Sequence, residues 1–367
     1  MSATPAPEPM VRVTSLSSPL PSLLDRRQIA VTVSTIRAVQ LDNGMIPWFV
    51  GGHADPWNHV EAAMALSVGG EVGAAVRAYE WLAAFQHDDG GWYAYYTATG
   101  VEDARRDTNV CAYIATGVWH HHLVTGDAGF LERMWPVVER AIGFVLSFQL
   151  PGGEVLWNVD VDGVPGRYAL LTGSSSIYFS LRCAVAIAEA LGHERPDWEL
   201  AAGRLRHAIA FREEAFEPKQ RFAMDWYYPV LVGAVSGAAA RDRLRERWAE
   251  LVMSGKGVRC VSDRPWVTTA ETAECALACI AAGLEGEAAM LLEWLSGQRG
   301  SDGSYSTGLV YPQLATFPTD ERSTYSAAAI VLAHDALERR GAASRLFGGE
   351  GLPGGLDLES DSVEDPA

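Results

Sequence analysis

Apolar residues recur along the chain at the 3.6-residue spacing of helices, in two alternating kinds of segment. One kind mixes charged with apolar residues: 24–41, 71–87, 130–149, 197–215, 240–254 and 285–299. Amphipathic helices of this type bury one face and wet the other. The second kind is apolar or small nearly all round: 56–69, 107–124, 174–191, 227–239, 269–283 and 323–339, with "AECALACIAAG" and "YSAAAIVLAHDAL" as examples. Such segments predict helices buried on every side. Six of one kind alternating with six of the other have a compact solution, an inner ring of helices wrapped by an outer antiparallel ring, which is an all-α (α/α)6 barrel.

Internal repetition agrees. "WLAAFQHDDGGWYAYY" (81–96), "VLSFQLPGGEVLWNVD" (145–160) and "WLSGQRGSDGSYSTG" (294–308) each run from an apolar helix end through Gln and a Gly-rich turn to an aromatic residue. A period of roughly 50 residues is the mark of a helical-hairpin array. Strand signals are weaker, with short ribbons expected within 91–105 and 153–170. The expected organisation is an N-terminal extension over 1–23, one barrel over 24–345 and an acidic, Gly-rich disordered tail over 346–367.

The connections fall into two classes. Those leading from a buried to an exposed segment are short and bland, such as "GG" at 69–70 and "TGDAGF" at 125–130. Those leading into a buried segment are long and carry Trp48, His53, Asp55 and Trp57; Trp92, Tyr95 and Asp107; Trp157 and Tyr168; Asp225 and Trp226; Trp266 and Glu271; and Tyr305 and Tyr325. In a barrel these loops emerge at one end, so their aromatic rings and carboxylates would line one bowl. Trp and Tyr offer flat faces to the C–H side of sugar rings, and Asp and Glu bond hydroxyls. An oligosaccharide or polysaccharide substrate is the expectation.

Composition narrows the partners. Among 367 residues the net charge is −17, and Lys and Arg are scattered, so a phosphate backbone would be repelled over most of the surface. Nucleic acid is not an expected partner. The apolar runs are too short for a membrane span and the start lacks a secretory pattern, giving an expected cytoplasmic location. Five cysteines at irregular spacing (Cys111, Cys183, Cys260, Cys275, Cys279) suit reduced core residues. "HHH" at 120–122 points three rings in different directions along a helix, so no metal or cofactor is expected. Oligomeric state is not legible.

Glycosidic cleavage needs a protonated acid at the leaving oxygen and a second carboxylate that activates water or attacks the sugar. Asp55 and Glu271 are the candidates, because each sits where a rich loop enters a buried helix, beside Trp57 and Trp266 respectively. A capping role competes at both: Asp55 precedes Pro56, and "TTAE" makes Thr268 and Glu271 a possible capping box. Asp55 is assigned the acid and Glu271 the base. Asp107, Glu61 and Glu274 stand in reserve, the last two costly to bury unless paired.

"TGDAGFLERMWPVVERAIGFVLSFQ" (125–149) resembles the recurring hairpin of the six-hairpin glycosidases, and with the hairpin count the likeness covers roughly 24–340. More narrowly, "IPWFVGGHADPWNHVEAAMAL" and "DRPWVTTAETAECALA" resemble the methylmannose polysaccharide hydrolase group, whose members are often labelled prenyltransferase-like. This resemblance implies an endo-α-1,4-mannosidase with an inverting acid/base mechanism, its acids carried onto Asp55 and Glu271. Two alternatives remain at this point. The Gln-to-Trp turns also resemble repeats of terpene cyclases and prenyltransferases, although "DVDG" at 160–163 breaks the acid motif of the former. A non-catalytic carbohydrate-binding toroid is the other.

Overall fold

The computed structural model describes residues 24–353, 355 and 356; the expected extension over 1–23 and most of the tail lie outside them. Among the described residues there are thirteen α-helices: α1 Arg26–Val39, α2 Pro56–Val68, α3 Val72–Phe85, α4 Thr108–Ala112, α5 Ile114–Thr125, α6 Ala128–Leu146, α7 Leu171–Ala190, α8 Pro196–Phe211, α9 Met224–Leu231, α10 Gly237–Leu251, α11 Thr269–Ala281, α12 Glu285–Trp294 and α13 Thr324–Glu338. The two kinds of segment are the two rings. Helices α2, α5, α7, α9, α11 and α13 pack each on the next and α13 returns to α2, closing the inner ring. Helix α4 is the first turn of the second inner helix, set off at Tyr113. Around it α3 packs on α2, α6 on α4, α5 and α7, α8 on α7, α10 on α9, α12 on α11, and α1 bridges α13 and α2. The fold is an (α/α)6 toroid.

The repeated Gln–Gly turn has a structural purpose. At the end of an outer helix, the amide of Gln40 donates to Gly44 O and to Ala74 O on the next outer helix. Gln86 donates in the same way to Gly90 O and Val137 O, and Gln149 to Gly153 O and Ala201 O. The three glycines have φ of +98°, +97° and +101°, and a Cβ on each would fall 2.2, 2.1 and 2.3 Å from the carbonyl oxygens of Arg77, Arg140 and Arg204. Only glycine combines that backbone with so close an approach. The motif rivets consecutive outer helices together, and of the indoles that follow it Trp92 belongs to the core while Trp48 and Trp157 line a cavity.

Two expectations change. The fourth inner helix, expected over 227–239, is only Met224–Leu231, because Gly233 and Gly237 take positive φ and turn the chain into α10. The apolar run continues past the helix because the turn itself is buried, which periodicity does not distinguish from helix. The ribbon expected in 153–170 forms, with Leu156 bridged antiparallel to Ala169 and Val159 to Pro165, and Asn158 and Val159 also pair with Asp107 and Arg106 of the preceding loop. The ribbon in 91–105 is present, pairing Tyr95–Thr97 with Gly100–Asp103.

The tail does not begin at 346. Ala342–Gly348 form a 3-10 helix packed against α5, α11 and α13. Leu346 and Phe347 are buried there, with Phe347 stacked on Phe179 at 5.6 Å. Ala343 and Ser344 are buried beside them. No helix among the described residues is long and apolar enough to cross a membrane.

Candidate active site

The six long connections meet at one end, tied into a circle by backbone pairing. Ala54 pairs with Tyr96, Asp107 with Asn158, Ala169 with Phe216, and Phe222 with Val261. Val267 pairs with Leu309, and the N–H of Thr324 donates to Trp48 O, closing the loop. Each rich loop is thus anchored to the next.

Inside this circle lies a cavity of about 600 Å³ that runs past the starts of α2, α4, α7 and α9. Trp48, Asp55, Trp57, Tyr95, Asp107, Trp157 and Asp225 all line it. Helix α2 begins where it does because Asp55 caps it, its side chain accepting from Asn58 N–H, with Pro56 in the first turn. The other carboxylate oxygen accepts from the Trp48 indole at 2.6 Å and the Asn58 amide at 2.7 Å. Asp55 is 4% exposed. Burial raises its pKa against the opposing pull of the Asn58 and Trp48 hydrogen bonds.

Asp107 repeats the arrangement one inner helix along. It caps α4 through Asn109 and Val110 N–H and accepts the indole N–H of Trp157. Burial pushes it up to about 6, with the nearby charge of Asp55 adding to the rise. Asp225 accepts the Thr172 hydroxyl at 2.6 Å and its N–H at 3.3 Å, joining α7 to α9; burial raises its pKa as well.

Below the cavity, Glu61 of α2 and Glu274 of α11 are 6% and 7% exposed. Tyr113 donates to Glu61 at 3.3 Å and Tyr227 to Glu274. Burial pushes both carboxyls up, Glu61 to about 8, and the charge of Glu61 adds to the rise at Glu274. Asp55 also acts on Glu61, and Glu271 on Glu274. The four carboxyl groups therefore form a chain, with Asp55 and Glu271 at its ends.

Glu271 lies in the first turn of α11 and is half-buried. The expected capping box does not form: the Thr268 hydroxyl has no partner and α11 has no side-chain cap. That leaves Glu271 without a capping duty, its side chain meeting the Cys260 thiol in a hydrogen bond. Its charge is felt by Tyr227, Cys260 and Tyr325. Tyr325 packs edge-on against Trp48 at 5.0 Å, so one aromatic contact links the surroundings of the two candidate acids. His53 also meets Trp48, at 4.5 Å, and its Nδ1 is 2.8 Å from Glu102.

Several predicted sugar platforms are elsewhere. Trp92 is fully buried, its indole bonded to Leu82 O beneath the outer helices. Trp226 is buried against α10, bonded to Arg243 O. Tyr305 is buried behind the sixth loop. Loop position alone points to these rings, yet each fills the core under its loop. Trp266 meets Phe317 edge-on at the end of the three-stranded sheet, and its indole donates to Phe317 O. Tyr168 backs Trp157, stacked at 5.6 Å, rather than lining the cavity. Conversely, Asn58, Asn109, Thr172 and Met224 line the cavity although the loop pattern does not point to them. The available signal was position, one to three residues past a loop end in the first turn of an inner helix.

No family model matches the chain. The chain is 49% identical over 342 residues to an MMP endo-(1,4)-3-O-methyl-alpha-D-mannosidase of Mycolicibacterium hassiacum, covering 93% of this chain and 95% of that protein. An uncharacterized glycosyl hydrolase of Methanocaldococcus jannaschii is 26% identical over 40% of the chain and 24% of its own length. Among solved structures, a glycosidase in complex with glucose superposes with a TM-score of 0.67 at 16% identity, over 86% of this chain and 96% of that one. A D-mannose isomerase gives 0.64 at 11% identity, over 88% and 99%. At such identities the superpositions speak for the toroid alone, which hosts more than one chemistry.

Proposed function

The chain belongs to the family of the MMP endo-(1,4)-3-O-methyl-alpha-D-mannosidase, and from that premise we propose that it cleaves internal α-1,4 bonds of a 3-O-methylated mannose polysaccharide by inversion. It is a glycoside hydrolase, not an isoprenoid enzyme or a sugar-binding toroid. One observation carries the assignment of the site: Asp55, whose carboxyl is pushed toward its protonated form by burial, sits on the wall of a cavity lined also by indoles, a phenol, amides, Asp107, Asp225, Arg105 and Lys219.

The roles follow from the two environments. A general acid must hold its proton near neutrality, which desolvation favours. Asp55 is the more buried of the two acids, so it protonates the leaving glycosidic oxygen. Glu271, half-buried and free of capping, takes a proton from water as that water's oxygen attacks the anomeric carbon. The glycosidic C–O bond breaks, the new hydroxyl appears on the opposite face of the ring, and exchange with solvent restores both carboxyl groups. Trp48, Trp57 and Tyr95 supply faces for sugar rings around Asp55. Residence in the cytoplasm belongs to the same reading and is supported by five unpaired cysteines, four of them buried.

Incubation with α-1,4-linked mannose oligomers, 3-O-methylated and unmethylated, in chelator tests it. Release of shorter methylated oligomers is expected, with Asp55→Asn and Glu271→Gln each slowed more than about 100-fold at unchanged melting temperature. No cleavage across that panel by the unaltered protein overturns the reading.

A further inference from the structure

The two carboxylates that receive an indole N–H differ in one respect. At Asp55 the neighbouring amide is spent: Asn58 Nδ2 donates to the carboxylate at 2.7 Å. At Asp107 the neighbouring amide is not spent. Asn109 gives its backbone N–H to Asp107 at 2.9 Å, but its carboxamide oxygen is buried without a partner. The side chain lines the cavity and is only 6% exposed. Buried polar groups left unpaired are costly and uncommon, and one on a cavity wall marks a place where a ligand completes the bonding.

The surroundings are built to hold a ring there. Trp157 lines the same cavity, its indole pinned by Asp107 and backed by Tyr168 at an interplanar angle of 28°. The loop that carries it is riveted in place: the Thr108 hydroxyl donates to Leu156 O at 2.7 Å and to Trp157 O at 2.9 Å. A rigid indole costs little further ordering when it binds. A carboxamide both donates and accepts, which matches a sugar hydroxyl that does the same, and Asp107 offers a second acceptor beside it.

We propose that Asn109, Trp157 and Asp107 form a separate subsite for a neutral sugar unit of the polysaccharide, one inner helix round the ring from Asp55 and distinct from the position where the bond is cut. The inference rests on the glycosidase reading above. Packed helices lie about 8–10 Å apart, so this subsite engages a sugar removed from the cleaved linkage and is filled only by longer chains. Here Asp107 binds substrate and does not take part in proton transfer, although it shares the capping geometry of Asp55.

The test is titration calorimetry on an Asp55→Asn background with α-1,4-linked 3-O-methylmannose oligomers of increasing length. In the parent, affinity steps upward once the oligomer reaches the subsite. Adding Asn109→Ala or Asn109→Ser is expected to reduce the ratio of long-chain to short-chain affinity by about tenfold, the worth of one hydrogen bond. Trp157→Ala should reduce it at least as much. Variants that weaken all lengths equally, or leave the ratio unchanged, overturn the proposal while the glycosidase reading stands. If the parent binds no oligomer and the unaltered protein cleaves none, both fall together.

Discussion

Trp48→Phe isolates one of the hydrogen bonds that oppose burial at Asp55. The indole N–H lies 2.6 Å from the carboxylate and lowers its pKa, working against burial. Phenylalanine keeps a ring among His53, Tyr95 and Tyr325, which Trp48 meets at centroid distances of 4.5, 5.9 and 5.0 Å. What it removes is one donor to a charged group, worth about 1.5–3 kcal/mol. At 1.36 kcal/mol per unit, that corresponds to about one to two pH units. The sign is fixed: losing a donor disfavours the carboxylate, so Asp55 holds its proton to higher pH. A general acid must be protonated to act, so the alkaline limb of the kcat/KM–pH profile moves up by that amount and the acidic limb stays. Steady-state rates on a methylated oligomer from pH 4 to 10, with buffer overlap, read both limbs. Movement of the acidic limb instead makes Asp55 the base and exchanges its role with Glu271. A profile with neither limb displaced refutes the premise that Asp55 titrates in the reaction.

Other perturbations probe the scaffold. Glu61 has its pKa raised by burial, so the folded state binds a proton that the unfolded chain releases at lower pH. Stability is then fullest below the ordinary carboxylate range and declines as pH rises through and above it; Glu61→Gln should flatten the fall of melting temperature from pH 5 to 8, and parallel slopes would count against this. Gly117 of α5 faces Val60, where an added Cβ would lie 2.4 Å from a methyl carbon; Gly117→Ala should cost about 1–3 kcal/mol in chemical denaturation. Phe347→Ala should cost about 3–5 kcal/mol, whereas a disordered tail would make it neutral.

The architecture was legible because burial leaves a mark on composition. A helix surrounded by others, such as α7 or α13, must be small and apolar on every face, while an outer helix such as α6 keeps charge on one side. That alternation predicts two rings, and a ring puts every entering loop at one end. Seven of the fifteen predicted site residues, Asp55 among them, do line one cavity. Loop position alone, however, does not tell a ring that faces the cavity from one that plugs the core beneath it. Trp48 and Trp92 both follow a Gln–Gly turn in sequence, yet one donates to Asp55 and the other to a backbone carbonyl of its own outer helix.

Composition and periodicity thus contained the toroid, its polar mouth and a candidate acid at the cap of α2, since these depend on local pattern and on the burial of whole helices. Which amide is spent and which is left open depends on side-chain directions between segments far apart in the chain, as with Asn58 and Asn109. The pairing of Trp157 with Asp107 across fifty residues, and of Glu61 with Glu274 across the barrel, arises only when the ring closes. Burial and proximity are properties of the assembled fold, and it is they that set the proton affinities on which the chemistry runs.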